Sequence, residues 1–233
     1  MMRLDKFLCE TGGYTRSEAK ELLRKGHVTL NNQVEKRPEY KINEVSDTIM
    51  INGKVLYYEK NHYYLLHKPA GVITATEDPK QHTVLDLLDG IDKRKLFPVG
   101  RLDKDTEGFL LITDDGELSH QLLSPKNHVP KTYFVRLRDP ITHEAVMQLE
   151  KGLDIGDKDL TLPATIKCIT NKEIELTICE GRYHQVKRML QAVGNEVIYL
   201  KRLSMGSLCL PDDLESGKFR RLTTEELNQL KQE

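Results

Sequence analysis

The chain has 233 residues, 38% of them hydrophobic and 30% charged, with a formal net charge of −1. That length suits two domains of unequal size, each able to bury a core without a disulfide or metal staple. The composition is that expected of an ordinary soluble globular protein, and no run approaches the ~18 apolar residues of a membrane span.

The first segment reads as two short helices followed by small strands. Leu4, Phe7 and Leu8 share a helical face. Thr15-Arg16-Ser17-Glu18 has capping-box spacing, Ala19, Leu22 and Leu23 form the buried stripe of a second helix, and Gly26 suits its end. Val28-Thr29-Leu30, a turn at Asn31-Asn32 and Val34 read as a tight hairpin. Asp47 to Ile51 followed by Asn52-Gly53 closes the module with one more strand and turn. The boundary is expected near Tyr58 to Asn61, dividing the chain into residues 1–59 and 60–233.

The remainder alternates strands and helices. Strands are expected at Tyr63–Leu66, Leu96–Leu102, Phe109–Thr113, Thr132–Leu137, Ala164–Ile169, Ile174–Cys179 and Val197–Leu203. Helices are expected at Val84–Leu88, Glu117–Leu123, Thr142–Glu150 and His184–Val193. Consecutive strands without an intervening helix predict an α+β domain with a mixed, largely antiparallel sheet.

Charge is unevenly spread. From Met1 to Lys41 the basic residues, among them Arg3, Arg16, Lys20, Arg24 and Lys25, outnumber the acidic ones. A second basic cluster is Arg182, Lys187, Arg188, Lys201 and Arg202, while acid gathers between Asp103 and Glu117. A net charge near zero gives little long-range pull on a polyanion, so local clusters matter more. The four cysteines, Cys9, Cys168, Cys179 and Cys209, form no C-x-x-C pair, which fits reduced thiols and no zinc site. Arg3, Asp5 and Lys6 stand where an export signal needs an apolar core, so a cytoplasmic location is expected.

The densest chemical signal is Gly100-Arg101-Leu102-Asp103-Lys104-Asp105-Thr106-Glu107-Gly108, an acidic turn between two apolar runs. On residue type alone it is an acidic hairpin turn or a carboxylate presented at a strand end. Its wording resembles the catalytic motif of pseudouridine synthases acting on ribosomal RNA. Leu66-His67-Lys68-Pro69-Ala70-Gly71, Lys131-Thr132-Tyr133 and Glu180 through Met189 are similar to three further motifs of that family, in the same order. Arg3 to Leu8, Thr15 to Ala19 and Gly26 to Asn31 resemble the S4 RNA-binding module.

The resemblance implies an S4-like domain over 1–59 and a pseudouridine synthase domain over 60–233. It implies Asp103 as catalytic carboxylate, Tyr133 as the active-site tyrosine and Lys187 as the basic partner, with Arg188 as the alternative. Burial beneath a base disfavours a charged carboxylate, and an adjacent cation offsets that. Expected RNA contacts are Arg3, Arg16, Lys20, Arg24, Lys25, Arg101, Arg182, His184, Gln185 and Arg188. Isomerisation neither oxidises nor removes a group, so no metal or small-molecule cofactor is expected. Whether the carboxylate attacks sugar or base, or abstracts a sugar proton, stays open.

The wording from Tyr183 to Arg188, with Lys158 to Thr161 upstream, resembles the 16S-specific branch. The expected partner is 16S ribosomal RNA or a small-subunit assembly intermediate, bound by a monomer away from membranes. The alternatives are a synthase acting on 23S ribosomal RNA, or a non-catalytic RNA-binding ribosome-assembly protein. A metal-dependent phosphoryl-transfer enzyme using Asp103, Asp105, Asp114 and Asp115 is a further rival.

Overall fold

The computed structural model describes residues 1–44, 46–56 and 61–232. The chain divides into two compact units, Met1–Lys60 and Asn61–Glu233. The expected boundary between residues 59 and 60 lies outside the described residues.

The first unit runs β1 (Met2–Arg3), α1 (Leu4–Gly12), α2 (Arg16–Lys25), β2 (Val28–Leu30), β3 (Gln33–Val34), β4 (Lys41–Ile42), β5 (Ile49–Ile51) and β6 (Lys54–Leu56). Strands pair antiparallel in the order β3-β2-β5-β6, and β1 pairs with β4. Leu4, Phe7 and Leu8 of α1 and Ala19 and Leu23 of α2 are buried against Val28, Ile42 and Ile49. The expected capping box is present. The Thr15 hydroxyl accepts the Glu18 N–H at 3.3 Å, and the Glu18 carboxylate accepts the Thr15 N–H at 2.7 Å. Asn31-Asn32 and Asn52-Gly53 take the left-handed backbone that two-residue hairpin turns require.

The second unit contains β7 (Tyr63–Lys68), β8 (Phe97–Pro98), β9 (Glu107–Thr113), α3 (Gly116–Leu123), β10 (Lys131–Leu137), α4 (His143–Lys151), β11 (Thr165–Cys168), β12 (Glu173–Ile178), α5 (Gln185–Ala192), β13 (Val197–Met205), β14 (Leu208–Cys209), β15 (Phe219–Arg221) and α6 (Thr224–Leu230). Its mixed sheet is ordered β11-β12-β10-β13-β9-β7-β15, with β14 beside β13 and β8 beside β9. Among the named strands of the described residues β9 and β13 form the one parallel pair, so the expected α+β, largely antiparallel class holds. Alternation splits the core between two faces. Leu66, Leu110 and Ile112 join one cluster, while Leu65, Phe109 and Leu111 join the other. This explains why β9 reads as an unbroken apolar run rather than an alternating one.

Two expectations fail. The strand expected at Leu96–Leu102 is only Phe97–Pro98. Pro98 has no N–H for a ladder, and Gly100, at φ 75°, turns the chain away from β9. The helix expected at Val84–Leu88 is a set of turns. The Asp86 and Leu88 N–H groups reach back three residues, and the Asp86 carboxylate accepts from Thr83. Five residues are too few to offset helix nucleation, although Val84, Leu85 and Leu88 still supply core. Strands β14 and β15 and helix α6 were not foreseen.

Candidate active site

Asp103 lies on the irregular segment between β8 and β9, not at the tip of a long strand. This segment is held by the last residue of β7 and by residues that follow it. The Thr74 hydroxyl donates to the Leu102 carbonyl at 2.7 Å and accepts the Leu102 N–H at 3.2 Å. The Gly71 N–H donates to the Lys104 carbonyl at 2.7 Å. Lys68, wholly buried, donates its ammonium to the carbonyls of Pro69, Lys104 and Thr106 at 3.0, 3.3 and 2.8 Å. Burial pushes the Lys68 ammonium down to about 8, against the opposing pull of Asp105, Asp103 and Glu107. A loop with its carbonyls tied this way presents its carboxylate from a fixed frame.

The opposite wall comes from the start of α5. His184 precedes the helix with φ 47° and ψ 34°, a left-handed conformation uncommon outside glycine, and its Nε2 lies 3.3 Å from Asp103 Oδ1. Lys187 Nζ lies 3.0 Å from Asp103 Oδ2 and 2.6 Å from Asp105 Oδ1. Burial works against the Lys187 charge, but bonds to Asp105 and Asp103 outweigh it and hold the ammonium above its ordinary value. Asp105 is also partly buried, and Lys187 still holds its carboxyl below the usual range.

Arg188, about 100° further round the helix, turns elsewhere. It binds the Ile155 carbonyl and the Asp157 carboxylate, the latter at 2.6 Å. Lys187, not Arg188, is therefore the cation at Asp103.

Tyr133 stands on β10 and reaches the same cavity, of about 110 Å³, which Asp103, Lys187, Leu200 and Val186 also line. The structure thus brings together the three expected catalytic side chains Asp103, Tyr133 and Lys187, with His184 beside them. Arg101 is exposed at the same cavity. Two further expected RNA contacts are occupied within the protein. Arg182 binds Glu180 at 3.0 Å and the carbonyls of Asp159 and Leu160 at 2.6 Å. Gln185 is buried, with its amide donating to Glu180 at 2.6 Å.

In the first unit Arg3, Lys6, Arg16 and Lys20 surround a concavity of about 430 Å³, with Asp5 and Glu10 at its side. Arg3 already holds Asp5 at 2.7 Å. Arg24 is exposed, and Lys25 pairs with Glu21 at 2.7 Å.

Sequence reasoning missed several residues of the cavity. Lys131 and Arg202, with 6% and 2% of their surface exposed, line it beside Thr106. In the sequence Arg202 reads only as part of a basic cluster with Arg182, Lys187, Arg188 and Lys201. Strand alternation was the available signal, since Lys131 lies two residues from Tyr133 and Arg202 two from Leu200. Gly108 serves the same region. At φ 109°, a Cβ there would lie 2.2 Å from the Arg202 carbonyl oxygen, so the close parallel pairing of β9 with β13 needs glycine. Tyr183 is also new, three-quarters exposed and stacked on the His184 ring at 3.8 Å.

The carboxylates named for a metal site do not converge. Asp103 and Asp105 face Lys187, Asp114 binds His62 at 2.9 Å, and Asp115 caps α3. Among the described residues no group of three or more His, Cys, Asp or Glu is placed to hold a metal ion, and no helix is long and apolar enough to cross a membrane. An anchored carboxylate beside a cation, in a cavity that an aromatic ring also lines, is suited to nucleophilic or proton-transfer chemistry on a flat, uncharged ring.

Residues 62–192 match the RNA pseudouridylate synthase family, and residues 2–49 match the S4 domain. The chain is 47% identical to an uncharacterized RNA pseudouridine synthase of Bacillus subtilis (strain 168), over 98% of each. It is 46% identical to ribosomal small subunit pseudouridine synthase A of Vibrio cholerae, over 97% of this chain and 98% of that one. A crystal structure of a pseudouridylate synthase, 39% identical, aligns with a TM-score of 0.71 over 99% of this chain and 100% of its own. With the family matched over more than half of its residues and relatives aligned along nearly all of them, the chain belongs to the RNA pseudouridylate synthases, an isomerase that carries an S4 domain ahead of its synthase domain.

Proposed function

We propose that this enzyme converts one uridine of small-subunit (16S) ribosomal RNA to pseudouridine, with Asp103 as the carboxylate indispensable to the chemical step. The observation that carries the reading is Asp103 held 3.0 Å from Lys187 in a cavity shared with Tyr133. The choice of RNA is supported by relatives in Vibrio cholerae and Escherichia coli, 46% and 41% identical, both named ribosomal small subunit pseudouridine synthase A.

The target base must leave its stack to reach a cavity of this kind. Extrusion costs a few kcal/mol in a duplex and less from a loop, so an unpaired or immature segment of the RNA is the substrate. Arg3, Arg16 and Lys20 supply phosphate contacts that hold the RNA while the base turns out. In the cavity Tyr133 stacks on the ring. Lys187, 3.0 Å from Asp103, pairs with its carboxylate as solvent is displaced. The bond from C1′ to N1 breaks, the base turns, and C5 bonds to C1′ with loss of the C5 hydrogen.

That lost hydrogen is the assay. Transcripts of 16S and 23S ribosomal RNA carrying tritium at uridine C5 are incubated with the purified enzyme, naked and as assembly intermediates. Release of one tritium equivalent per 16S molecule, and none from 23S, is expected. Release from 23S alone would move the target to the large subunit, and binding without release would leave an assembly protein.

A further inference from the structure

The cavity that Tyr133 lines is also lined by groups that the chemistry described so far does not use. Lys131 and Tyr133 lie two residues apart on β10, and Leu200 and Arg202 two apart on β13, so all four face one side of the sheet. Lys131 donates to the Val129 carbonyl at 2.8 Å. Arg202 Nε donates to the Phe109 carbonyl at 2.8 Å, but its Nη2 is buried with no partner among the described residues. The Thr106 hydroxyl, 1% exposed, is likewise buried without a partner among the described residues, and the Thr106 N–H donates to the Asp103 carbonyl at 3.1 Å. All three side chains line the same cavity.

The electrostatics are unusual. Two nearly buried cations stand together, and among the described residues neither forms an ion pair with a carboxylate. Burial, followed by the neighbouring Arg202, pushes the Lys131 ammonium down from its ordinary value. An uncompensated buried cation is costly to the folded state, as is a buried donor without an acceptor. Such a cost is retained where a ligand repays it.

We propose that Arg202, Lys131 and Thr106 form a donor floor that takes the carbonyl edge of the everted uracil and stabilises the negative charge of the detached base. This rests on the synthase reading above. When the C1′–N1 bond breaks, its electron pair stays with the base, giving an anion spread over N1 and the two carbonyl oxygens. The floor answers that charge until C5 bonds to C1′, the C5 proton departs to solvent and N1 takes a proton. Each of the three routes open to Asp103 passes through loss of the base, so the floor serves whichever operates. A phosphate fits less well. It is tethered to sugars on both sides and cannot reach side chains this buried without drawing the strand in, whereas a base hangs from one bond.

The test pairs protein and substrate changes. RNA carrying 2-thiouridine or 4-thiouridine at the target replaces one carbonyl oxygen by sulfur, a weak acceptor. In single-turnover assays Arg202→Met is expected to slow the chemical step by roughly 10²–10³-fold, with RNA affinity unchanged. Wild-type enzyme should lose rate on one of the thio RNAs. In Arg202→Met that thio penalty should disappear, because the partner is already gone. Arg202→Lys should recover part of the rate. If Arg202→Met does not fold, Lys131→Met and Thr106→Val carry the same cycle. An equal thio penalty in wild type and variants, or none in wild type, would overturn the floor. So would thio-insensitivity with a loss of rate when the adjacent phosphate is replaced by methylphosphonate. Failure of wild-type enzyme to form pseudouridine at all would instead remove the synthase reading.

Discussion

The two units of this chain use positive charge in opposite ways. In the first, Arg3, Arg16, Lys20 and Arg24 are exposed on or beside two helices whose other faces bury Leu4, Phe7, Ala19 and Leu23. In the second, Lys68, Lys131 and Arg202 are almost completely buried, and Lys187 is half hidden against two carboxylates. Exposed cations attract a polyanion additively and are screened by salt. Buried cations fix loops and meet charge created during the reaction, in surroundings that salt hardly reaches. A net charge of −1 therefore says little about RNA binding: what matters is which cations the fold leaves outside.

Four variants sharpen or break this contrast. The largest effect is expected at Lys187. Lys187→Met removes the cation 3.0 Å from Asp103 and should lower kcat by about 10²-fold while the salt dependence of RNA binding stays unchanged. A weaker salt dependence at constant kcat would place Lys187 with the exposed set.

Lys68→Met comes next. It strips three carbonyls of a shared donor and should cost about 2–4 kcal/mol in urea unfolding at neutral pH. The difference should depend on pH. The folded-state ammonium titrates at about 8, below its ordinary value. Between about pH 8 and about 10.4 the unfolded chain therefore binds a proton that the folded one does not. Wild type should gain stability relative to the methionine variant as pH rises through that window; a flat difference would deny that the charged lysine is buried.

The double variant Arg16→Gln with Lys20→Gln should leave the chemical step untouched once RNA is bound. It should reduce the slope of log affinity against log salt by roughly 1.5, as read from filter binding across a salt series. An unchanged slope would mean that these helices do not face phosphate. The smallest effect is expected from Thr15→Ala, which removes the cap of α2 and should cost about 1 kcal/mol in unfolding with kcat unchanged.

Much of this architecture is legible from local rules. The Thr15 to Glu18 box, the Asn31-Asn32 turn and the apolar run of β9 act over a few residues, and local chemistry is enough to place them. So is the divergence of Lys187 and Arg188, neighbours about 100° apart on a helix, although the choice of Lys187 came from family resemblance. Helix α6 carried a readable signal too, because Thr223 and Glu226 form a second capping box. What escaped depends on distant partners. The partners of Arg182 and Arg188, namely Asp157 and the carbonyls of Ile155, Asp159 and Leu160, cannot be read from the local sequence. Arg202 looks like surface because charge normally is; only the packing of β13 between β9 and β10 buries it. Asp103, the centre of the site, was reached through family resemblance, since by residue type its segment is an ordinary acidic turn.

The account stands most directly on Asp103 acting on small-subunit RNA. Pseudouridine is therefore mapped across ribosomal RNA from cells lacking this protein, complemented with wild type or with Asp103→Asn at matched levels. The expected result is one uridine of 16S RNA that is modified with wild type and stays unmodified with Asp103→Asn. Restoration of that modification by the asparagine variant would contradict the account.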